Sequence, residues 1–280
     1  MYFGEPNQLT DKITIYQPTV GDIIDFGESE FYTVLYMIAG NTTTHRLQLW
    51  RNGVDWNKIT DYELFCTTCK ALNHENTKLL FGDTLDLNKI NPTSVERENE
   101  EGETVTEWVL YEPVEDIQIT EEEYKVMVHY LRTMFNFFPK VEKARDRTTK
   151  EWMIEEDETN IEIKKKKGEE NTSSLLSIIS ACVNHPGFKY KKNELRDVGI
   201  MEFMDSVQRI QIYESSTALL QGSYSGFVDT KKIPKSDFDF MRDLSKDNTS
   251  DQNKKTSNNA NNNITLKQDD GSMKARTSFS

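Results

Sequence analysis

Thirty consecutive residues, Ser94 to Glu123, carry twelve acidic side chains against Arg97 alone. A packed interior cannot absorb such a run, because each ionised carboxylate taken out of water needs a partner and none is supplied locally. The stretch therefore divides the chain and must keep most of its length in solvent. Within it Trp108, Val109, Leu110, Ile117 and Ile119 form two short β-like runs, which predicts an acidic β-hairpin or extended insert rather than a packed domain. The whole chain has 280 residues and a formal net charge of -13, yet outside this stretch 33 basic residues face 35 acidic ones. The acidity is local. With 36% apolar and 29% charged residues, full compaction of the chain is not expected.

The flanking segments carry helical signals. Thr19 is placed to cap Val20 to Ile24, with Gly27 as a stop, and Lys12 to Tyr16 alternates as a short strand. Phe31, Val34, Leu35 and Ile38 recur at helical spacing, and His45 to Arg51 gives a further turn or two. Thr60-Asp61-Tyr62-Glu63 and Thr120-Glu121-Glu122-Glu123 are capping boxes, and the second puts acids at the positive end of a helix dipole. Behind it Tyr124, Met127, Leu131, Phe135 and Phe138 form the clearest apolar stripe, ended by Pro139. Lys140 to Lys167 alternates charge in blocks and predicts a solvated, salt-bridged segment. Asn171-Thr172-Ser173 caps an apolar run to Val183. A long helix is expected from Gly199 to Gln221, inner positions Ile200, Phe203, Met204, Val207, Ile210 and Leu220, stopped by Gly222. Beyond Leu244 seven asparagines among Ser, Thr and Lys predict disorder. The expected class is mainly α with minor β, an α+β chain of helical bundle-like units. Its expected divisions are a helical unit over 1–93, the acidic insert over 94–119, a helical unit over 120–243 and a tail over 244–280.

Few residues offer chemistry. Cys66-Thr-Thr-Cys69 with Cys182-Val-Asn-His185 has the ligand types and spacing of a tetrahedral zinc site. Against it, both cysteine segments lie in helical patterns, where a buried thiol behaves as a small hydrophobe. A Cys-His nucleophile pair lacks any local signature. Gly222-Ser-Tyr-Ser-Gly226 follows a helix and lacks the Lys-Ser/Thr of a phosphate loop. Lysines at 140–150 and 164–167 are interleaved with acids, so their field largely cancels and no nucleic-acid partner is expected. Met1-Tyr2-Phe3-Gly4-Glu5 has no basic start and no apolar run nears the roughly 20 residues of a membrane span, so an intracellular soluble chain is expected. No catalytic residue and no cofactor are assigned. The apolar stripes of Met127, Leu131, Phe135, Met204 and Val207 remain, as core or as partner-binding positions.

Certain longer strings carry a resemblance. Tyr2-Phe3-Gly4, Pro18-Thr19-Val20-Gly21-Asp22-Ile23-Ile24-Asp25-Phe26-Gly27-Glu28 and Gly53-Val54-Asp55-Trp56-Asn57-Lys58-Ile59-Thr60-Asp61-Tyr62-Glu63-Leu64-Phe65 are similar to proteins of tailed bacteriophages and prophages of Gram-positive bacteria. His185-Pro186-Gly187-Phe188-Lys189-Tyr190 and Met204-Asp205-Ser206-Val207-Gln208-Arg209-Ile210-Gln211-Ile212-Tyr213-Glu214 continue it, over most of Met1 to Asp243. The chain thus resembles virion-morphogenesis proteins of the tail assembly chaperone type. That resemblance implies a non-enzymatic role in the host cytoplasm, coating the apolar helices of a tape-measure protein until tail-tube subunits replace it. Self-association stays open. Such chaperones are often shorter, and a structural tail or connector component of the virion is the nearer alternative. A zinc protein or hydrolase built on Cys66, Cys69, Cys182 and His185 is the alternative from another class.

Overall fold

The computed structural model describes residues 4–98, 104–168, 174–225 and 233–242. Strands β1 (Asn7–Gln8) and β2 (Thr14–Ile15) pair antiparallel at the start. Thr19 closes a reciprocal capping box with Asp22 and starts α1 (Val20–Phe26). Gly27, at φ +105, is the joint from α1 to α2 (Glu28–Ala39), a backbone conformation that an L side chain rarely adopts. Then come α3 (Arg46–Arg51), α4 (Asp61–Thr68) behind the Thr60 capping box, and a 3-10 turn over Cys69–Ala71. Helix α5 (His74–Phe81), capped by Asn73, was not expected from the pattern. Its buried face is only Thr77, Leu80 and Phe81, too few apolar positions for a stripe.

The acidic stretch is a hairpin as expected, but with a packed base. Strands β3 (Asn91–Glu98), β4 (Thr104–Glu112) and β5 (Ile117–Ile119) form an antiparallel sheet in that order, with Asn91 opposite Tyr111 and Leu110 opposite Ile119. Val109, Leu110, Ile117 and Ile119 are buried, while Trp108 is 62% exposed. The Tyr62 hydroxyl secures that base. It donates to the Ile119 carbonyl at 2.7 Å and accepts from the Leu110 amide at 3.2 Å. Lys12 Nζ reaches the carbonyls of Glu115 and Asp116 and holds the turn before β5 to the first strands.

Helix α6 (Glu121–Met134) begins at the predicted Thr120 capping box. It ends at Met134, before Phe138 and Pro139, because Asn136 takes a positive φ of 49 that breaks the helical backbone. It packs against α2, α4 and β5. Arg132 donates to the carbonyls of Ala39 and Gly40 at 2.8 and 3.0 Å, placing a cation on the unpaired C-terminal carbonyls of α2. Next are α7 (Arg147–Lys167), α8 (Ser174–Val183) and α9 (Ile200–Tyr224), which also packs on α6. Helix α9 runs through Gly222 instead of stopping there, and it buries Ile212 and Ser216 while Leu220 lies exposed. The local period misses this because a 3-10 turn at Lys235–Phe238 lies on that side of the helix.

The main core draws on both flanks of the acidic stretch, from Ile13 and Phe31 through Phe81, Leu110 and Leu131 to Leu175, Ile200 and Phe203. The chain divides only after Met241, so the expected divisions at 93 and 120 fall inside one core. Backbone closes the same span: Val20 donates to Val198 O at 2.9 Å, Ile200 donates to Pro18 O at 3.0 Å, and Thr19 bridges Gly199. Gly21 lies so close that a Cβ there would stand 2.7 Å from Arg196 O. The structure is mainly α with a minor β component. No helix of the described residues is long and apolar enough to cross a membrane. The expected disordered tail and the Asn171 to Ser173 cap lie outside the described residues. Replacing Leu131, fully buried, by Ala should lower unfolding free energy by about 2–5 kcal/mol in urea titration, whereas Val126→Ala on the open face should change it by under about 0.5 kcal/mol.

Candidate functional site

The residues singled out in the sequence separate into three groups. Met127, Leu131 and Phe135 are all buried in the main core, so they hold α6 in place and offer no free surface. Met204 and Val207 lie on α9 and are only partly covered, together with Met201 and Ile210. The four candidate zinc ligands are not assembled. Among the described residues no group of three or more His, Cys, Asp or Glu side chains is placed to hold a metal ion.

Each of those four has its own local setting. Burial pushes the Cys66 thiol up to about 11, and it raises Cys69 and Cys182 as well. Cys69 Sγ donates weakly to the Cys66 carbonyl at 3.6 Å, and all three thiols are free. His185 accepts from the Gly187 amide through Nδ1 at 3.1 Å and faces Glu214 Oε1 with Nε2 at 3.0 Å. A proton on Nε2 satisfies both contacts, so this imidazole joins the end of α8 to α9 as a hydrogen-bonding strut. Protonated, buried thiols are poor nucleophiles because the thiolate is the reactive form.

Within 140–167 the acids Glu142 and Asp157 and the base Lys150 take part in a charged seam beside α3 and α7. Arg46, nearly buried, donates from Nε and Nη2 to both oxygens of Asp157 at 2.6 Å and from Nη1 to Glu142 at 2.6 Å. Such a bidentate fork is the strong form of an ion pair. Lys150 pairs with Asp55 at 2.6 Å and stands over the Trp56 ring, so it holds the Asp55 carboxyl below the usual range. A second small core of Leu49, Trp56, Leu64, Ala144 and Ile154 lies beneath these pairs. A groove of about 590 Å³ runs beside Arg46, lined by Phe137, Lys140, Glu142, Asp157, Ile161 and Lys164 among others. Its charges of both signs match the salt-bridged face expected from the sequence.

Two helices leave apolar side chains open: α7, with Trp152, Ile161 and Ile163 exposed, and α9. Only Ile200, Phe203, Ile212 and Ser216 of its 25 residues are buried. Tyr213, Leu220 and Tyr224 are exposed, Tyr224 to 88%, and Leu176 on α8 is exposed too. Sequence reasoning named Met204 and Val207 here but missed Arg209, Tyr213 and Ser216. The local sequence carries no signal for them, since Ser216 bonds to Asp237 and Tyr213 meets Phe240, both beyond the helix. No protein-family model, curated protein or solved structure matches the chain.

Two outcomes check these assignments. Arg46→Ala strands two carboxylates and should cost about 2–3 kcal/mol in denaturant unfolding, whereas Arg51→Ala, at the exposed pair with Glu158, should cost under about 1 kcal/mol. At pH 8 a thiol titrating near 11 is thiolate in about one molecule per thousand. Reaction of the native protein with an aromatic disulfide reagent should therefore be at least about a hundredfold slower than after unfolding in guanidinium chloride, and fast native reaction of any cysteine would contradict the burial described.

Proposed function

We propose that the chain is a non-catalytic binding protein of the tail assembly chaperone type, which covers the apolar helices of a phage tape-measure protein reversibly in the host cytoplasm. The observation that carries this reading is the surface of α9: a 25-residue helix with four buried residues, whose distal half leaves Tyr213, Leu220 and Tyr224 exposed. Met201 and Met204, unbranched and polarizable, adapt to apolar partners of irregular shape. The acidic residues of β3, β4 and the start of α6 keep a partly apolar complex soluble. No role for a metal or cofactor enters this reading.

The binding surface is α9 with the exposed end of α8. Met127, Leu131 and Phe135 contribute by fixing α6, on which α9 packs. Co-expression with the tape-measure candidate from the same genome tests the proposal. A soluble complex and a gain of soluble client are expected, both weakened several-fold by Leu220→Asp with Tyr224→Asp. Absence of a complex, with no gain in client solubility, refutes the chaperone role. Quantification in purified virions separates the structural alternative, since a chaperone leaves before the particle is finished.

A further inference from the structure

Helix α7 is fastened to the fold along one side. Ile154 is its only buried residue, and its attachments include the pairs of Lys150 with Asp55, Asp157 with Arg46 and Glu158 with Arg51. Those positions, spaced by three and four residues, share one face. From Glu158 to Lys167 every residue is exposed, Ile161 to 41% and Ile163 to 42%, and Trp152 is exposed to 69%. Helices take most of their stability from packing, so a helical half with no buried residue is marginal by itself. Trp152 and Ile163 are eleven residues apart, three turns or about 16 Å, and lie on one face with Glu156 and Thr159 between them. This face is opposite the fastened one.

Charge is divided along the same helix. Glu151 to Glu162 holds six acidic residues and no basic one, and Lys164 to Lys167 is four lysines. The carboxylates of Asp157 and Glu158 are engaged by arginines of α3, whereas Glu155 and Glu156 are exposed. Two such helices laid parallel would set lysines against lysines and acids against acids. Laid antiparallel, the lysine end of each reaches toward acids of the other. One antiparallel register also matches the apolar groups. With Trp152 over Ile163 of the second copy, Glu156 stands opposite Thr159 and Glu151 opposite Lys164, and two-fold symmetry makes each contact twice. Glu151 accepts from Arg147 of its own helix at 2.9 Å, so in that register it is shared between two cations.

We infer that the outer face of α7 is a seam for a second copy of this chain, paired antiparallel with Trp152 of each copy against Ile163 of the other. Trp152 is the anchor, since a large aromatic side chain removed from water carries much of the energy of an interface. The glutamates and lysines set direction and register more than strength, because exposed ion pairs contribute little. The seam does not rest on the chaperone reading, which places its client on α9.

Sedimentation of the full chain over a concentration series should show a dimer that dissociates on dilution. Trp152→Glu and Ile163→Glu should each weaken it at least about tenfold while leaving the unfolding midpoint in urea unchanged, since both side chains are exposed. Leu220→Asp with Tyr224→Asp, on α9, should leave the dimer as it is. Disulfide trapping reads the direction of pairing. A Trp152→Cys chain mixed with an Ile163→Cys chain should cross-link under mild oxidation, and either chain alone should cross-link no more than the unmodified protein, because two copies of position 152 stand about 16 Å apart and a disulfide needs α-carbons within about 7 Å. A chain that stays monomeric throughout, as it would if a different protein covered this face, overturns the proposal. So does a dimer indifferent to Trp152 and Ile163, one lost with the α9 variant, or cross-linking of either cysteine variant with itself.

Discussion

The fold hangs on the burial of one helix face. Tyr124, Met127, Val128, Leu131 and Met134 of α6 are all nearly or wholly removed from water, and α2, α4, β5 and α9 each meet that helix. Its polar attachments follow from the same position. Arg132 satisfies the end of α2, and the Tyr124 hydroxyl donates to Ile38 O at 3.3 Å. An amphipathic helix gains most of its stability from such packing rather than from intrinsic propensity, so the elements around α6 and α6 itself are mutually dependent. Helix α9 takes its place from this arrangement, through Ile200 and Phe203 at its start, and its distal half extends past the core with less to cover it.

Charge is sorted by the same geometry. The acidic stretch puts its apolar residues at the base of the β3–β4–β5 sheet and its Trp108 outside. Between α3 and α7, opposite charges meet over a small apolar cluster around Trp56, and there the Arg46 fork adds to the hydrophobic contact that joins the two elements. Ion pairs of this kind cost desolvation and return geometry. They fix where α7 lies, although Ile154 is its only buried residue.

What could be read from the sequence was whatever is decided within a few residues. The caps at Thr19, Thr60 and Thr120 all form as written, because a capping box is complete in four positions. The stripe of α6 was legible for the same reason, as was the existence of the hairpin. Three things were not. Helix α5 has too short an apolar face to show a period. The packed base of the hairpin depends on Tyr62, some fifty residues away along the chain. The inner face of α9 was misassigned at Leu220 because Ser216 is covered by a segment beyond the helix. The proposed zinc ligands had suitable spacing within each pair, yet spacing says nothing of whether two helices bring the pairs together. The burial of Ser216 was invisible for an analogous reason, since its hydroxyl bonds to the Asp237 carbonyl of a segment beyond the helix.

The backbone pairing of Pro18 and Val20 with Val198 and Ile200 sets a schedule for the growing chain. About 180 residues separate the partners, and at synthesis rates of roughly 5–20 residues per second that interval is about 10–40 seconds. Through that time α1 is capped at Thr19 but has no partner on its Gly21 side. Helix α2 is there early to cover one side of α1, but the side that meets Leu195 and Val198 stays open until they emerge, so a segment made well before residue 195 is completed only after it.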